Sequence, residues 1–343
     1  MKKRNYIWLA ILVVGTALVL LRHNNIISWG NSADYRNEKG LIFGTMYSIT
    51  YQHDKSLKLD IDQELDRFDA SLSIFNDSST IMGVNNNVLE VVEDTLFINV
   101  FRKAMQISEE VDGSFDITVD PLIAAWGFSK ARQELPTAAA IDSIIEFVGW
   151  QKIKLTDDNR IVKEDPRVKL DCSAIAKGYA VDVISHLLES NGVENYMVDI
   201  GGEVNVKGKN PSRGKWRIGV SKPDDDSLSI NQDLQTILEV TNLSIATSGN
   251  YRNFYFRDGM KYAHTVDPKT GYTVQHSILS STVIAKDCMT ADAYATAFMV
   301  MGVDRAKAFL EKHPDIEAYF IYSDEQGNYQ TYMTDGMKQY VTD

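Results

Sequence analysis

Two cysteines among 343 residues cannot hold a fold together by disulfides. Seven prolines and 21 glycines without a repeating period exclude a collagen-like or proline-rich chain, and no internal repeat is present. Positive charge is also scarce. The formal net charge is −12, and setting aside the four cations Lys2, Lys3, Arg4 and Arg22 leaves −16 on the remainder, which has no run rich in lysine or arginine. A surface of that sign argues against nucleic acid as a partner. It also means that a polyphosphate ligand must be met by a metal ion or a local lysine. Neither G-x-G-x-x-G nor G-x-x-x-x-G-K-[ST] occurs, which leaves Rossmann and P-loop nucleotide sites unsupported. What remains, at 44% hydrophobic and 24% charged, is the composition of a globular protein with a full core, built as one large domain or two coupled ones.

The long uncharged run is at the N-terminus. Lys2-Lys3-Arg4 precedes Tyr6 to Leu21, sixteen residues without a charge, and Arg22-His23-Asn24-Asn25 follows. The run is long for the apolar part of a signal peptide and slightly short for a relaxed membrane span. No Ala-x-Ala-like cleavage site stands after it, and no cysteine near Leu20 could carry a lipid. Residues 1–28 are therefore expected to be an uncleaved anchor, with Lys2, Lys3 and Arg4 in the cytoplasm and the body of the chain outside it. A cleaved signal peptide is the alternative, and it puts the domain in the same compartment. Residues 29–40 are expected to be a polar linker and 41–343 the folded domain.

Leu41 to Tyr51 has strand character, broken around Gly44-Thr45-Met46, where a glycine marks a close approach of backbone or ligand. Leu57, Ile61, Leu65, Phe68 and Leu72 are helically spaced, as are the apolar residues of Thr95 to Val111, and Pro136 to Phe147 opens with residues suited to a helix start. Val168 to Asp171 reads as a strand feeding a helix that Ser173 caps and that continues to about Asn191. Strands follow at Asn195 to Ile200 and Glu203 to Lys207, and from Lys215 onward strand signals dominate. Two helices, Met289 to Met301 and Asp304 to His313, precede the closing strands. The pattern is α+β, with helices packed on a mostly antiparallel sheet.

Some stretches carry chemistry. In Thr290 to Thr296, Asp292 and Thr296 lie four residues apart on one helix face, among alanines that let other backbone approach. A carboxylate and a hydroxyl so placed suit a hard cation such as Mg²⁺; taken alone, the plainer reading is a core helix with Thr296 bonded to its own turn and Asp292 as a cap. The helix start after Asp171, with free amides and Lys177 nearby, is a natural anion site, or else plain strand-turn-helix packing with Lys177 in solvent. His264 stands at a strand end above the turn Asp267-Pro268-Lys269-Thr270-Gly271, either as a proton acceptor near neutral pH or as a structural histidine. Gly113 to Phe128 holds too many aromatic and turn residues for a mere connector; its plainer reading is a packed loop.

Taken in order, Gly44-Thr45-Met46, Gly113-Ser114-Phe115-Asp116 with Trp126-Gly127-Phe128, Leu170-Asp171-Cys172-Ser173-Ala174-Ile175-Ala176-Lys177-Gly178, Gly201-Gly202-Glu203, Thr247-Ser248-Gly249, His264-Thr265-Val266-Asp267-Pro268-Lys269-Thr270-Gly271 and Ala291-Asp292-Ala293 resemble the FAD:protein FMN transferase (ApbE) family, formerly described as thiamine-biosynthesis lipoproteins. The resemblance covers about Leu41 to Tyr332. It implies a T-fold-related α+β domain and a Mg²⁺-dependent enzyme that splits FAD at its pyrophosphate, attaches FMN by a phosphoester to a Thr or Ser of a target protein, and releases AMP. The target implied is a subunit of a membrane redox complex, and the compartment is the periplasmic side of a bacterial inner membrane. By the same resemblance Met46, Phe75, Ser114, Phe115, Asp116, Asp171, Lys177 and Val266 line the FAD site. Ala174 (through its carbonyl), Asp292 and Thr296 hold the metal, and His264 takes or orders the proton of the acceptor hydroxyl. Phe75 stands where several members have Tyr, and Ala295 where some have a further acid, which puts more weight on Thr296 and Ala174. An FAD pyrophosphatase or flavin-binding protein of the same fold, releasing free FMN and AMP, is the alternative. If the segments around Ala174 and Asp292 converge, Cys172 and Cys288 come near each other, either bridged or as two buried thiols.

Overall fold

Alternation of buried and exposed side chains builds the centre of the molecule: in Thr45–Gln52, Tyr47, Ile49 and Tyr51 are buried and the residues between them are not. The computed structural model describes residues 34–128, 134–221, 234–250, 254–257, 260–274, 278–324, 326 and 328–342. The anchor expected over residues 1–28 lies outside them, and among the described residues no helix is long and apolar enough to cross a membrane. In chain order the elements are β1 (Tyr35–Ile42), β2 (Thr45–Gln52), α1 (Lys58–Leu72), α2 (Thr80–Asn85), α3 (Thr95–Glu110), α4 (Asp120–Trp126), α5 (Ala138–Ile145), β3 (Ile153–Leu155) and β4 (Ile161–Lys163). Then come α6 (Ser173–Ser190), β5 (Tyr196–Ile200), β6 (Glu203–Lys207), β7 (Trp216–Ser221), β8 (Leu234–Val240), β9 (Leu243–Gly249), β10 (Phe254–Arg257), β11 (Met260–Ala263) and β12 (Ile278–Ala285). The chain closes with α7 (Cys288–Met301), α8 (Val303–Leu310), β13 (Glu317–Ser323), β14 (Tyr329–Met333), α9 (Asp335–Lys338) and β15 (Val341–Thr342).

Eight strands form one sheet in the order β1-β2-β5-β6-β9-β12-β13-β14, antiparallel at every pairing. One face packs under the helices: Ile49, Val198, Ala246, Val283 and Phe320 share a core with Phe68, Phe101, Val181 and Phe298. The other face presents Val204, Ile245, Ile284 and Ile321 to Trp216, Val220, Leu238 and Val240 of the small sheet β15-β8-β7. The architecture is the expected α+β, helices on an antiparallel sheet.

Several boundaries differ from the sequence expectations, each for a local reason. Tyr35–Glu38, expected as linker, belongs to β1 and pairs with Ile49–Gln52. As an edge strand carrying Arg36, Glu38 and Lys39 it shows no apolar alternation; charged edges resist pairing with other chains. The break around Gly44 is a two-residue hairpin turn with positive φ at Phe43 and Gly44, and nothing approaches Gly44 within 4 Å of a Cβ position. Val168–Asp171 is not a strand. Asn85 takes the place of a neighbouring strand, receiving Leu170 N–H at 2.7 Å and donating to the Leu170 carbonyl at 2.8 Å, while Asp171 N–H bonds the Ile117 carbonyl at 2.7 Å. Nor is Ser173 the cap of α6: it is the first helical residue, and the Asp171 carboxylate accepts its N–H at 2.7 Å. Helices α2 and α4, of six and seven residues, are too short to show a period.

Candidate functional site

Helices α6 and α7 meet backbone to backbone. A Cβ on Gly178 would lie 2.3 Å from the carbonyl oxygen of Cys288 and 2.7 Å from Asp292 Cβ, so only glycine allows this approach. Asp182, one turn along α6, caps α7 through Cys288 N–H at 2.8 Å and Met289 N–H at 2.9 Å; burial pushes its carboxyl up to about 7. Close contact brings Asp292, 2% exposed, to the Gly178 N–H at 2.9 Å. That amide is the one a regular helix directs at the Ala174 carbonyl. Gly178→Ala is therefore expected to part the helices at a cost on the order of 2–3 kcal/mol, lowering Tm by several degrees and activity with it. Thermal denaturation followed by circular dichroism checks this, and a variant with the parent's Tm would show that the contact is not tight.

Lys177 turns its ammonium to Glu203 at the start of β6, 2.6 Å away. Burial works against the charged lysine, yet Asp292 and Glu203 outweigh it and raise its pKa. Burial raises both carboxyls in turn, with Lys177 opposing. Glu203 is 2% exposed, and its Oε2 is buried with no hydrogen-bond partner among the described residues. Two carboxylates against one ammonium leave this cluster a net acid. Such a cluster favours an added cation.

The wall opposite is the loop after α3. Asp112 and Gly113 take positive φ, turning the chain so that Ser114 and Phe115 are buried. Asp116 is spent on the wall itself: Oδ1 accepts Thr118 N–H and Oγ1–H, both at 2.7 Å, and Oδ2 accepts Trp150 N–H at 2.7 Å. Burial, only partly offset by these bonds, pushes its carboxyl up to about 6.

His264 sits on a loop held from below. Trp126 donates from Nε1 to the Gly271 carbonyl at 2.8 Å and stacks on Tyr262 with centroids 5.6 Å apart; Phe128 meets the His264 ring edge-on at 6.4 Å. Gly271 has φ +76°, and a Cβ there would lie 2.5 Å from Ile141 of α5. Thr265 donates to Asn250 Oδ1 at 2.6 Å, fixing the next residue. The aromatic cluster that sequence left ambiguous is thus the underside of the histidine loop.

All of these converge on one cavity of about 380 Å³, open to solvent. Ser114, Phe115, Asp116, Asp171, Lys177, Val266, Ala174, Asp292, Thr296 and His264 line it, together with Glu203 and Ser248. Met46 and Phe75 do not: they are 67% and 80% exposed and stand outside the cavity wall, Met46 just after the β1–β2 turn and Phe75 beyond the end of α1. Nor are the cysteines bridged. Both are free and buried; Cys288 Sγ faces the carbonyls of Val204 and Ile245 in the sheet, at 3.7 and 3.6 Å, and burial pushes both thiols up. Among the described residues no cluster of three or more His, Cys, Asp or Glu side chains is gathered for a metal. The set Asp292 carboxylate, Thr296 hydroxyl and Ala174 carbonyl is of another kind, all oxygen and few in number. It fits a magnesium ion that keeps waters for a phosphate. Thr296 Oγ1 also shares a hydrogen with Ser248 Oγ at 2.9 Å, a partner sequence did not suggest.

The ApbE family model matches residues 43–320. The chain belongs to the ApbE family. Among curated ApbE relatives, the FAD:protein FMN transferase of Vibrio cholerae is 34% identical over 313 residues, covering 88% of this chain and 92% of that protein. The FAD:protein FMN transferase of Escherichia coli K12 is 30% identical, with 88% of each chain covered. The flavin transferase ApbE from Vibrio cholerae superposes with a TM-score of 0.79 at 33% identity, over 90% of this chain and 99% of that one. The apo flavinyl transferase ApbE of Pseudomonas stutzeri gives the same score at 28% identity, over 92% and 98%. Glu203, Gly178, Asp182 and Ser248 are thus added to the site by the fold; of these, Glu203, Gly178 and Ser248 sit within the family-like stretches of the sequence, where they were signalled without a role.

Proposed function

We propose that this protein is an FAD:protein FMN transferase that uses Mg²⁺, moves FMN from FAD onto a Thr or Ser hydroxyl of an acceptor protein, and releases AMP. Family membership supports the enzyme class, and the names of the relatives support the donor FAD and a protein acceptor. The observation that carries the chemistry is the buried acid-rich cluster of Asp292, Glu203 and Lys177 in the same cavity as His264.

Phosphoryl transfer asks for positioning and charge neutralisation more than for covalent help from the protein. Asp292, Thr296 and the Ala174 carbonyl would hold the magnesium ion, which when bound offsets the charge of the pyrophosphate. Lys177, kept charged by its carboxylate neighbours, is placed to meet a phosphate oxygen. The first amides of α6 add a positive helix end beside Asp171. His264, on its braced loop, receives the proton of the attacking hydroxyl, and the exposed mouth of the cavity admits a side chain presented by another protein.

The acceptor is read as a subunit of a membrane redox complex. The N-terminal run Tyr6–Leu21 with its leading cations supports an anchor that keeps the domain at the periplasmic face of the inner membrane. The deciding experiment is incubation with an acceptor protein, FAD and Mg²⁺ followed by in-gel flavin fluorescence. A fluorescent acceptor band that disappears in excess EDTA is expected. Free FMN and AMP with an unlabelled acceptor would instead mark an FAD pyrophosphatase, and full labelling in EDTA would end the metal assignment.

A further inference from the structure

Arg305 lies outside every stretch to which the sequence assigned chemistry. It stands near the start of α8 and is exposed to solvent, yet its Nη2 reaches Ser114 Oγ at 2.7 Å, 191 positions earlier. Ser114 is 2% exposed and lines the cavity. A serine hydroxyl is normally free to donate or to accept, whereas a guanidinium can only donate. Ser114 is therefore the acceptor in this bond, and its own hydrogen must go elsewhere. Among the described residues no acceptor takes that hydrogen; the remaining bond at Ser114 is from its backbone N–H to Val111. A buried hydroxyl hydrogen in a cavity wall, turned away from the cation beside it, is poised to donate to a ligand atom bearing a lone pair.

We infer that Arg305 is a positioning residue for FAD: by filling one lone pair of Ser114 it turns the Ser114 hydroxyl hydrogen away from itself, orienting it to donate to an acceptor atom of the bound dinucleotide. This rests on the cavity being an FAD site. Asp112, exposed and bonded by Lys269, is lowered in pKa chiefly by that bond and least by the charge of Arg305. Arg305 stays on the solvent side of Ser114, and Ser114 makes the contact.

The test is a double-mutant cycle on FAD affinity, read by quenching of flavin fluorescence with Mg²⁺ present and acceptor protein absent. Arg305→Met and Ser114→Ala are each expected to weaken FAD about 5- to 10-fold. The double variant should be no weaker than Ser114→Ala alone, and Arg305→Lys, which keeps a donor, should recover part of the loss. In steady state the loss should fall on KM for FAD rather than on kcat, with Tm unchanged for the exposed Arg305→Met. Parent-like affinity in Arg305→Met overturns the inference. So do losses that multiply in the double variant, since they would mean that the guanidinium acts on the ligand directly. A parent protein that does not bind FAD at all would instead bring down the FAD reading of the cavity, a result distinct from either.

Discussion

Replacing Asp292 by asparagine is expected to reduce flavin transfer on the order of a thousandfold while the protein still folds. Asparagine keeps nearly the same volume and an oxygen for the Gly178 N–H that Asp292 now accepts at 2.9 Å, so the contact between α6 and α7 survives. What is lost is the one carboxylate in the donor set of Asp292, Thr296 and the Ala174 carbonyl. A divalent cation held by neutral oxygens alone loses most of its attraction to the site, and the pyrophosphate then faces an acidic cavity without compensation. Lys177 retains Glu203 at 2.6 Å, so no buried ammonium is stranded and stability changes little. Asp292→Ala removes the acceptor as well and should show the same loss of rate with a lower Tm. Transfer rates across a Mg²⁺ titration, with Mg²⁺ binding by calorimetry on the substrate-free protein, decide the matter. Parent-like rate and parent-like Mg²⁺ dependence in the asparagine variant would place the metal elsewhere.

His264→Ala is expected to slow transfer roughly 100-fold or more, the usual contribution of a positioned general base, with FAD affinity largely kept. The loop around it is held by other residues as well: Trp126 holds Gly271, Val274 N–H bonds the Thr265 carbonyl at 2.9 Å, and Thr265 holds Asn250. The alanine variant should therefore present the same cavity minus one ring. Single-turnover transfer to acceptor, set beside FAD binding by fluorescence, separates the two roles. Parallel collapse of FAD affinity would make His264 a binding residue and move the proton acceptor to another group.

How much of this was legible in the sequence varied with the range of the interaction. Helices α1 and α3 and strands β2, β5 and β6 announce themselves because their buried faces repeat at the period of the backbone, and each is found within a few residues of its expected place. Motif order pointed to the family, and the residues carried over from it are brought to one cavity except for Met46 and Phe75. The stretch 168–171 misled, because its apolar residues are buried as in a strand while its backbone bonds go to the side chain of Asn85 and to Ile117. No local pattern encodes such a partner. Composition and the expected compartment permitted a disulfide between Cys172 and Cys288; only the packing shows Cys288 turned toward the sheet.

The sequence by itself determined the acidic character, the α+β alternation of elements, and the chemical groups on offer: a carboxylate and hydroxyl four apart, a lysine after a helix start, a histidine above a turn. These follow from charge and from the short-range geometry of helix and strand, which act over a few residues. Tertiary structure alone decided how the groups combine. It set Gly178 against the backbone of α7, which joins Asp292 to the second turn of α6. It gave Lys177 the partner Glu203, and it made Trp126 the brace of the histidine loop. It also brought Arg305 to Ser114 across 191 positions. Each of these depends on close packing between elements distant in the chain, where a fit of a few tenths of an ångström selects the partner.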